Sequence, residues 1–207
     1  MWILNKLNDK YGEENIVNVY DFGGNVYGVS NKFSDCDYIA VIDDSACQAD
    51  EHQEFFHESG MKHDVNCYAE YYFKKLIEYH EISALECLFL NDEFIRKFSK
   101  KYDFVLSLPA LRKSIAEKSS NSFVKARKKL RFGEAYIAKK SMWHSFRIIY
   151  FGIQIAKYGK IIDYAEANHL YNEIVLNESC DEAYYKEKYL PLHNKIMTNF
   201  RALAPKE

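Results

Sequence analysis

Gly23-Gly24-Asn25-Val26-Tyr27-Gly28-Val29-Ser30-Asn31-Lys32-Phe33-Ser34-Asp35-Cys36-Asp37-Tyr38-Ile39-Ala40-Val41-Ile42 is the stretch that decides the fold. Two glycines open it, and Ser-Asp-x-Asp runs directly into the apolar segment Tyr38 to Ile42. On an extended backbone the side chains of Asp35 and Asp37 leave the same face. Carboxylates held together repel, so a stable pair needs a cation, and oxygen ligands suit Mg²⁺. A Gly-Gly turn can present backbone N–H groups to an anion. An anion cradle beside a dicarboxylate cation site fits nucleoside triphosphate chemistry.

Working outward, Ile3, Leu7 and Tyr11 at spacing four predict an amphipathic helix over residues 2–14. Ile16 to Phe22 is rich in β-branched and aromatic residues and reads as a strand leading into the glycines. Residues 25–31 read as a short helix, and 38–42 as a central strand covered on both faces. The polar, acidic segment 43–60 reads as a loop, and 61–67 as a third strand containing Asp64. A helix over 68–80 follows, with Asn66 as its cap, and 82–101 read as two further helical segments. Beyond that point only helical patterns remain. Pro109 suits a helix's first turn, and residues 121–158 form one or two long helices with a break at Gly133 and a stop at Gly159. Asp163 and Asp181 read as caps of two more helices. The expected class is α+β: a mixed sheet with flanking helices over 1–105, then an all-helical domain over 106–207.

The 207 residues are 48% hydrophobic and 28% charged, a globular balance that excludes a disordered chain. No apolar run reaches membrane-spanning length and no basic-plus-apolar leader is present, so a soluble, cytoplasmic protein is expected. The five cysteines are scattered without a Cys-x-x-Cys pair, which argues against a zinc site or a disulfide framework. Charge is uneven. Residues 35–58 hold eight acids and no Lys or Arg, whereas 112–147 hold eleven Lys or Arg against Glu117 and Glu134. The basic half suits phosphates or nucleic acid, although a solvated helix face gives the same pattern.

A strand, Gly-Gly, a short helix, Ser-Asp-x-Asp opening an apolar strand, and an acid on the next strand together resemble the signature of the DNA polymerase beta-like nucleotidyltransferases. The resemblance implies that Asp35, Asp37 and Asp64 are the catalytic carboxylates and hold two Mg²⁺ ions, Mn²⁺ being an alternative. It further implies that Asp64 draws the acceptor proton, and that Gly23, Gly24 and Ser34 belong to the nucleotide site. Many members have Ser at the position of Gly24. Asp43, Asp44 and Glu70 are the alternatives for the third acid. Lys139-Lys140-Ser141-Met142-Trp143-His144-Ser145-Phe146-Arg147 is similar to a Lys-rich helix in the branch of this superfamily associated with RNA repair operons. There Lys140 would bind the triphosphate, with His144 and Arg147 assisting.

What the resemblance implies is transfer of a nucleoside monophosphate from an NTP to an acceptor hydroxyl, the favoured acceptor being an RNA (tRNA-like) 3′ end. A protein hydroxyl (AMPylation) or a small molecule keeps the chemistry with a different acceptor, and a catalytically silent nucleic-acid-binding protein is the reading from another class. His63-Asp64 as part of a metal-dependent phosphohydrolase, or His52, His57, His63 and Cys67 as a zinc site, are the competing metal readings. Arg112, Lys113, Lys125, Arg127, Lys128, Lys129 and Arg131 form a second basic group, with Phe123 and Tyr136 as candidate base-stacking rings. Oligomeric state is not written in the sequence.

Overall fold

The computed structural model describes residues 2–31 and 34–206. Contacts divide the chain into two units, Met1–Val105 and Leu106–Glu207. The first is built on a mixed sheet of β1 (Ile16–Phe22), β2 (Cys36–Ile42), β3 (Glu51–Glu58), β4 (Met61–Ala69) and β5 (Ile95–Phe98), in the order β3-β4-β2-β1-β5. Strands β2 and β4 pair in parallel, and the remaining pairs are antiparallel. The fold is α+β.

β2 lies at the centre because its second half is apolar throughout. Ile39, Ala40, Val41 and Ile42 are fully buried, as a strand covered on both faces must be. On one face Ile3 and Leu7 of α1 (Trp2–Tyr11) close a core with Val19, Ala40, Val65 and Cys67. On the other, Tyr20 stacks on Phe73 of α3 (Glu70–Glu78), with ring centroids 6.3 Å apart, and Tyr68 lies 6.1 Å from the same ring.

Several local expectations are corrected. Residues 51–58 form a strand, not a loop. Its alternation is one of half-buried against exposed positions on a largely polar edge strand, which defeats a hydrophobicity reading. Ser59 and Gly60 both take positive φ, 50° and 85°, and close a two-residue hairpin between Glu58 and Met61. The second expected helical segment in 82–101 is replaced by a 3-10 turn and β5, while α4 (Ile82–Leu88) is the first. The helix after Gly23 is only α2 (Gly24–Tyr27), stopped by Gly28 in the left-handed region. Asn66 caps nothing: it lies within β4 and accepts from Gln53 across the strands at 2.9 Å.

The second unit is helical: α5 (Leu108–Arg131), α6 (Ala135–Tyr158), α7 (Asn168–Val175) and α8 (Glu182–Leu203). Ser107 caps α5, with Pro109 in its first turn, and Asp181 caps α8 through the N–H groups of Ala183 and Tyr184. Asp163 does not cap α7. It accepts from Ala165 in a local turn, and the cap position is Ala167. Gly152 lets α6 approach its neighbours, since a Cβ there would lie 2.9 Å from Ile115 and 3.0 Å from Phe200.

His193 sits inside this unit with Nε2 2.8 Å from Ser119 Oγ, packed on Phe123 and Phe146. Burial, aided by Arg201, pushes its pKa down to about 4. Above about pH 6.5 the imidazole is neutral folded or unfolded and contributes no pH dependence. As pH falls below that value the unfolded chain takes up the proton first, so stability is lost progressively until the folded pKa is reached. The total loss is about 3 kcal/mol. Urea unfolding followed from pH 7 to pH 4.5 should show a falling midpoint, and His193→Gln should flatten that slope while lowering stability at pH 7.

Candidate functional site

The register of the sheet brings two of the predicted acids side by side. Asp37 of β2 pairs with Asp64 of β4, and on the outer sides Phe22 pairs with Asp37 and Phe55 with Asp64. In-register neighbours share a sheet face, so Phe22, Asp37, Asp64 and Phe55 form one row across four strands. Asp35 precedes the first residue of β2 and is exposed.

The glycine turn closes on this row. Gly23 has φ 70° and ψ −147°, a conformation open essentially to glycine alone. Any side chain there would put its Cβ 2.2 Å from Asp37 Oδ2, so the turn backbone lies directly against that carboxylate. Gly24 is different: a Cβ would meet Ser30 at 3.6 Å, an ordinary contact. The turn is braced from behind by Asp21. This buried carboxylate takes two hydrogen bonds from Arg96 of β5, through Nε and a terminal nitrogen, and a third from Asn25 of α2 at 3.1 Å.

A residue that the sequence reading did not single out, Lys62, completes the local electrostatics. Its Nζ lies 2.7 Å from Asp64 Oδ2 and 4.8 Å from the centre of the Phe55 ring. The hydrogen bond to Asp64 raises its pKa, and the charges of Asp64, Asp35 and Asp37 add to the rise. One ammonium therefore lies in the field of all three predicted acids. Asp64 Oδ1 is buried and has no hydrogen-bond partner. Paired carboxylate oxygens, one of them unsatisfied, with a cation already drawn to them, are a donor set that fits Mg²⁺. Among the described residues, no group of three or more His, Cys, Asp or Glu is assembled to hold a metal ion. Asp37 and Asp64 are the adjacent pair, with Asp35 outside the strand.

The alternative acids lie elsewhere. Asp43 and Asp44 follow the far end of β2, six residues or about 20 Å of strand from Asp37. Asp43 accepts from Ser45, Asp44 accepts from the Tyr71 N–H, and Glu70 is held by Lys74 and Lys100. His63 points to the opposite face from Asp64, buried against Trp2 and Tyr38, which removes the phosphohydrolase reading. His52 and Cys67 are opposed in one register pair, but His57 pairs with Lys62 further along β3, so the zinc reading also falls.

The remaining predicted residues are placed as follows. The Ser34 hydroxyl accepts from the Asn31 N–H at 2.9 Å. Lys140, His144 and Arg147 are on α6 of the second unit. Lys140 lies 5.3 Å from the Tyr136 ring. Arg147 is buried and donates from Nε to His144 Nδ1 at 3.2 Å. Burial first, then the charges of Arg147, Lys140 and Lys125, hold the His144 pKa well below its ordinary value, so the imidazole is neutral. Lys139 is buried, with its amine on the Asn177 carbonyl. In the second basic group, Arg127 and Arg131 pair with Glu182, Lys129 pairs with Glu134, and Arg112 donates to the carbonyls of Arg201 and Ala204. Phe123 is a core residue and not a stacking platform, whereas Tyr136 is 61% exposed. Among the described residues, no helix is long and apolar enough to cross a membrane.

No protein-family model and no curated protein matches the chain. Solved structures do match it. One is the crystal structure of a nucleotidyltransferase-like protein from Exiguobacterium sibiricum 255-15, at 11% identity and a TM-score of 0.40, covering 99% of this chain and 77% of that one. A likeness at this level decides neither activity nor substrate.

The two glycines should respond differently to substitution. Gly23→Ala meets both a strained φ and the Asp37 carboxylate and should destabilise the first unit by about 2–3 kcal/mol or more. Gly24→Ala meets neither obstacle and should stay within about 1 kcal/mol of the parent. Urea denaturation of the two variants checks the contrast; equal losses would show that Gly23 is not pressed against the carboxylate.

Proposed function

We propose that the protein is a Mg²⁺-dependent nucleotidyltransferase that moves a nucleoside monophosphate from an NTP to an acceptor hydroxyl, with an RNA 3′ end as the acceptor. The observation that supports it best is the Asp37–Asp64 pair on adjacent parallel strands with the Gly23 backbone against Asp37 Oδ2. Together they join the separate parts of the sequence motif in one place. In the reaction the acceptor oxygen bonds to the α-phosphorus, the α–β phosphoanhydride bond breaks, and pyrophosphate leaves.

Asp37 and Asp64, with Asp35 from the adjoining loop, would hold Mg²⁺. Bound Mg²⁺ supplies neutralisation of the triphosphate charge and orientation of the acceptor hydroxyl. Asp64 would also take the acceptor proton, a reading supported by its Oδ1, which is buried and without a hydrogen-bond partner. The Gly23-Gly24 turn offers backbone N–H groups to the phosphates, and its fixed geometry, braced by Asp21, Arg96 and Asn25, keeps that surface rigid. The RNA acceptor rests on the basic helical half and on the resemblance to the RNA-repair branch. The pairing of Arg127, Arg131 and Lys129 with Glu182 and Glu134 leaves less cationic surface for a phosphate backbone, which favours a protein or small-molecule hydroxyl as the second reading.

Incubation with each α-labelled NTP and Mg²⁺, with total tRNA or cell-extract protein added, should place label in RNA. Label in protein alone would move the acceptor to the second reading. Asp37→Asn and Asp64→Asn should each cut transfer at least about a hundredfold with an unchanged far-ultraviolet spectrum. Full transfer by both variants would end the carboxylate assignment.

A further inference from the structure

We propose that Lys62 is the resident counter-ion of the carboxylate pair, and that a divalent cation enters by displacing its ammonium from Asp64, leaving it the contact with the Phe55 ring. The inference rests on the reading of Asp37 and Asp64 as metal ligands and concerns how tightly they take an ion. Three observations carry it. Lys62 Nζ donates to Asp64 Oδ2 at 2.7 Å, so it occupies one oxygen of the very carboxylate that would bind the ion. The other oxygen, Oδ1, is buried and has no hydrogen-bond partner, so the ammonium satisfies only half of the group. The same Nζ lies 4.8 Å from the Phe55 ring, which is 52% exposed and is the register partner of Asp64 on the outer strand.

The ammonium therefore makes two contacts at once, one to the Asp64 carboxylate and one to the Phe55 ring. The aromatic face attracts an ammonium weakly and carries no charge to compete for. A dication bound to Asp37 and Asp64 would remove the attraction of the carboxylate and repel the ammonium at short range. The ring contact, already present, would keep the displaced amine at the rim of the site. Lys62 is thus a positioning residue that sets cation affinity; it holds the two like charges together when no metal is bound and weakens metal binding by the strength of its own contact.

Mn²⁺ binding measured by calorimetry or by loss of its free electron-spin-resonance signal, without any nucleotide, tests this. Lys62→Met should bind Mn²⁺ about fivefold more tightly than the parent, the upper range for a partly exposed ion pair. Phe55→Leu should shift Mn²⁺ binding by less than Lys62→Met does, because the ring holds the amine before and after displacement, and should have no effect in the Lys62→Met background. Lys62→Arg, whose guanidinium grips a carboxylate through two hydrogen bonds, should bind Mn²⁺ more weakly than the parent. Equal or weaker Mn²⁺ binding by Lys62→Met, with the parent binding the ion, overturns the inference and leaves the carboxylate reading standing. Absence of Mn²⁺ binding in both parent and Lys62→Met overturns both. Binding by Lys62→Met alone supports both, with the lysine outcompeting the ion in the parent.

Discussion

Two like charges held in one register pair are the constraint around which the first unit is arranged. Asp37 and Asp64 belong to parallel strands about 4.8 Å apart. Their repulsion is on the order of 1–4 kcal/mol at surface-like dielectric. The same register buries Ile39, Ala40, Val41 and Ile42 of β2 and Val65 and Cys67 of β4, and each large apolar side chain contributes about 1.5–3 kcal/mol. Burial therefore outweighs the repulsion. A slip of one residue would carry Asp37 to the face covered by α1 and exchange the side chains packed on the two faces of β2, so the core fixes the acids where they are.

The glycine turn depends on the same placement. With Asp37 fixed, position 23 has no space for a Cβ, and glycine supplies the positive φ with which the chain leaves β1 and begins α2 against the carboxylate. Asp21 makes that exit stable. A buried carboxylate two residues before the turn would be costly alone, but Arg96 and Asn25 satisfy it from β5 and α2. The short edge strand β5 thus has a purpose beyond its few ladder bonds: it delivers the guanidinium that secures the turn.

The parts legible in the sequence were those with a strong local signature. The apolar run of β2, the β-branched run of β1, the glycine pair and the acid on β4 all follow from period, composition and chain chemistry. The elements that escaped notice have weak local signatures. β3 alternates in exposure but not in hydrophobicity, because its edge position asks for charge rather than apolar side chains. β5 has four residues with Arg96 and Lys97 at its centre, and its identity comes from Asn18 and Asp21 across the sheet. Lys62 illustrates a different limit. It is two residues from Asp64, so its side chain leaves the same face, but its contact with Phe55 depends on a hairpin whose first strand read as loop. A Ser-Gly pair between residues able to form strands was the signal that would have revealed the hairpin, and with it the lysine.

In the helical unit the sequence pattern misled in an instructive way. Spacing alone shows which residues share a helix face, and Lys140, His144 and Arg147 do share one. It does not show whether that face is wet. Arg147 is buried with its guanidinium between the rings of Trp143 and Phe151 and its Nε on His144, and the long apolar stem of such a side chain makes this burial favourable. The acidic partners of the basic run on α5 come from outside it, Glu182 at the start of α8 and Glu134 at the start of α6. A run of cations in sequence thus becomes a set of ion pairs between helices, and the charge left for a phosphate is set by tertiary pairing rather than by composition.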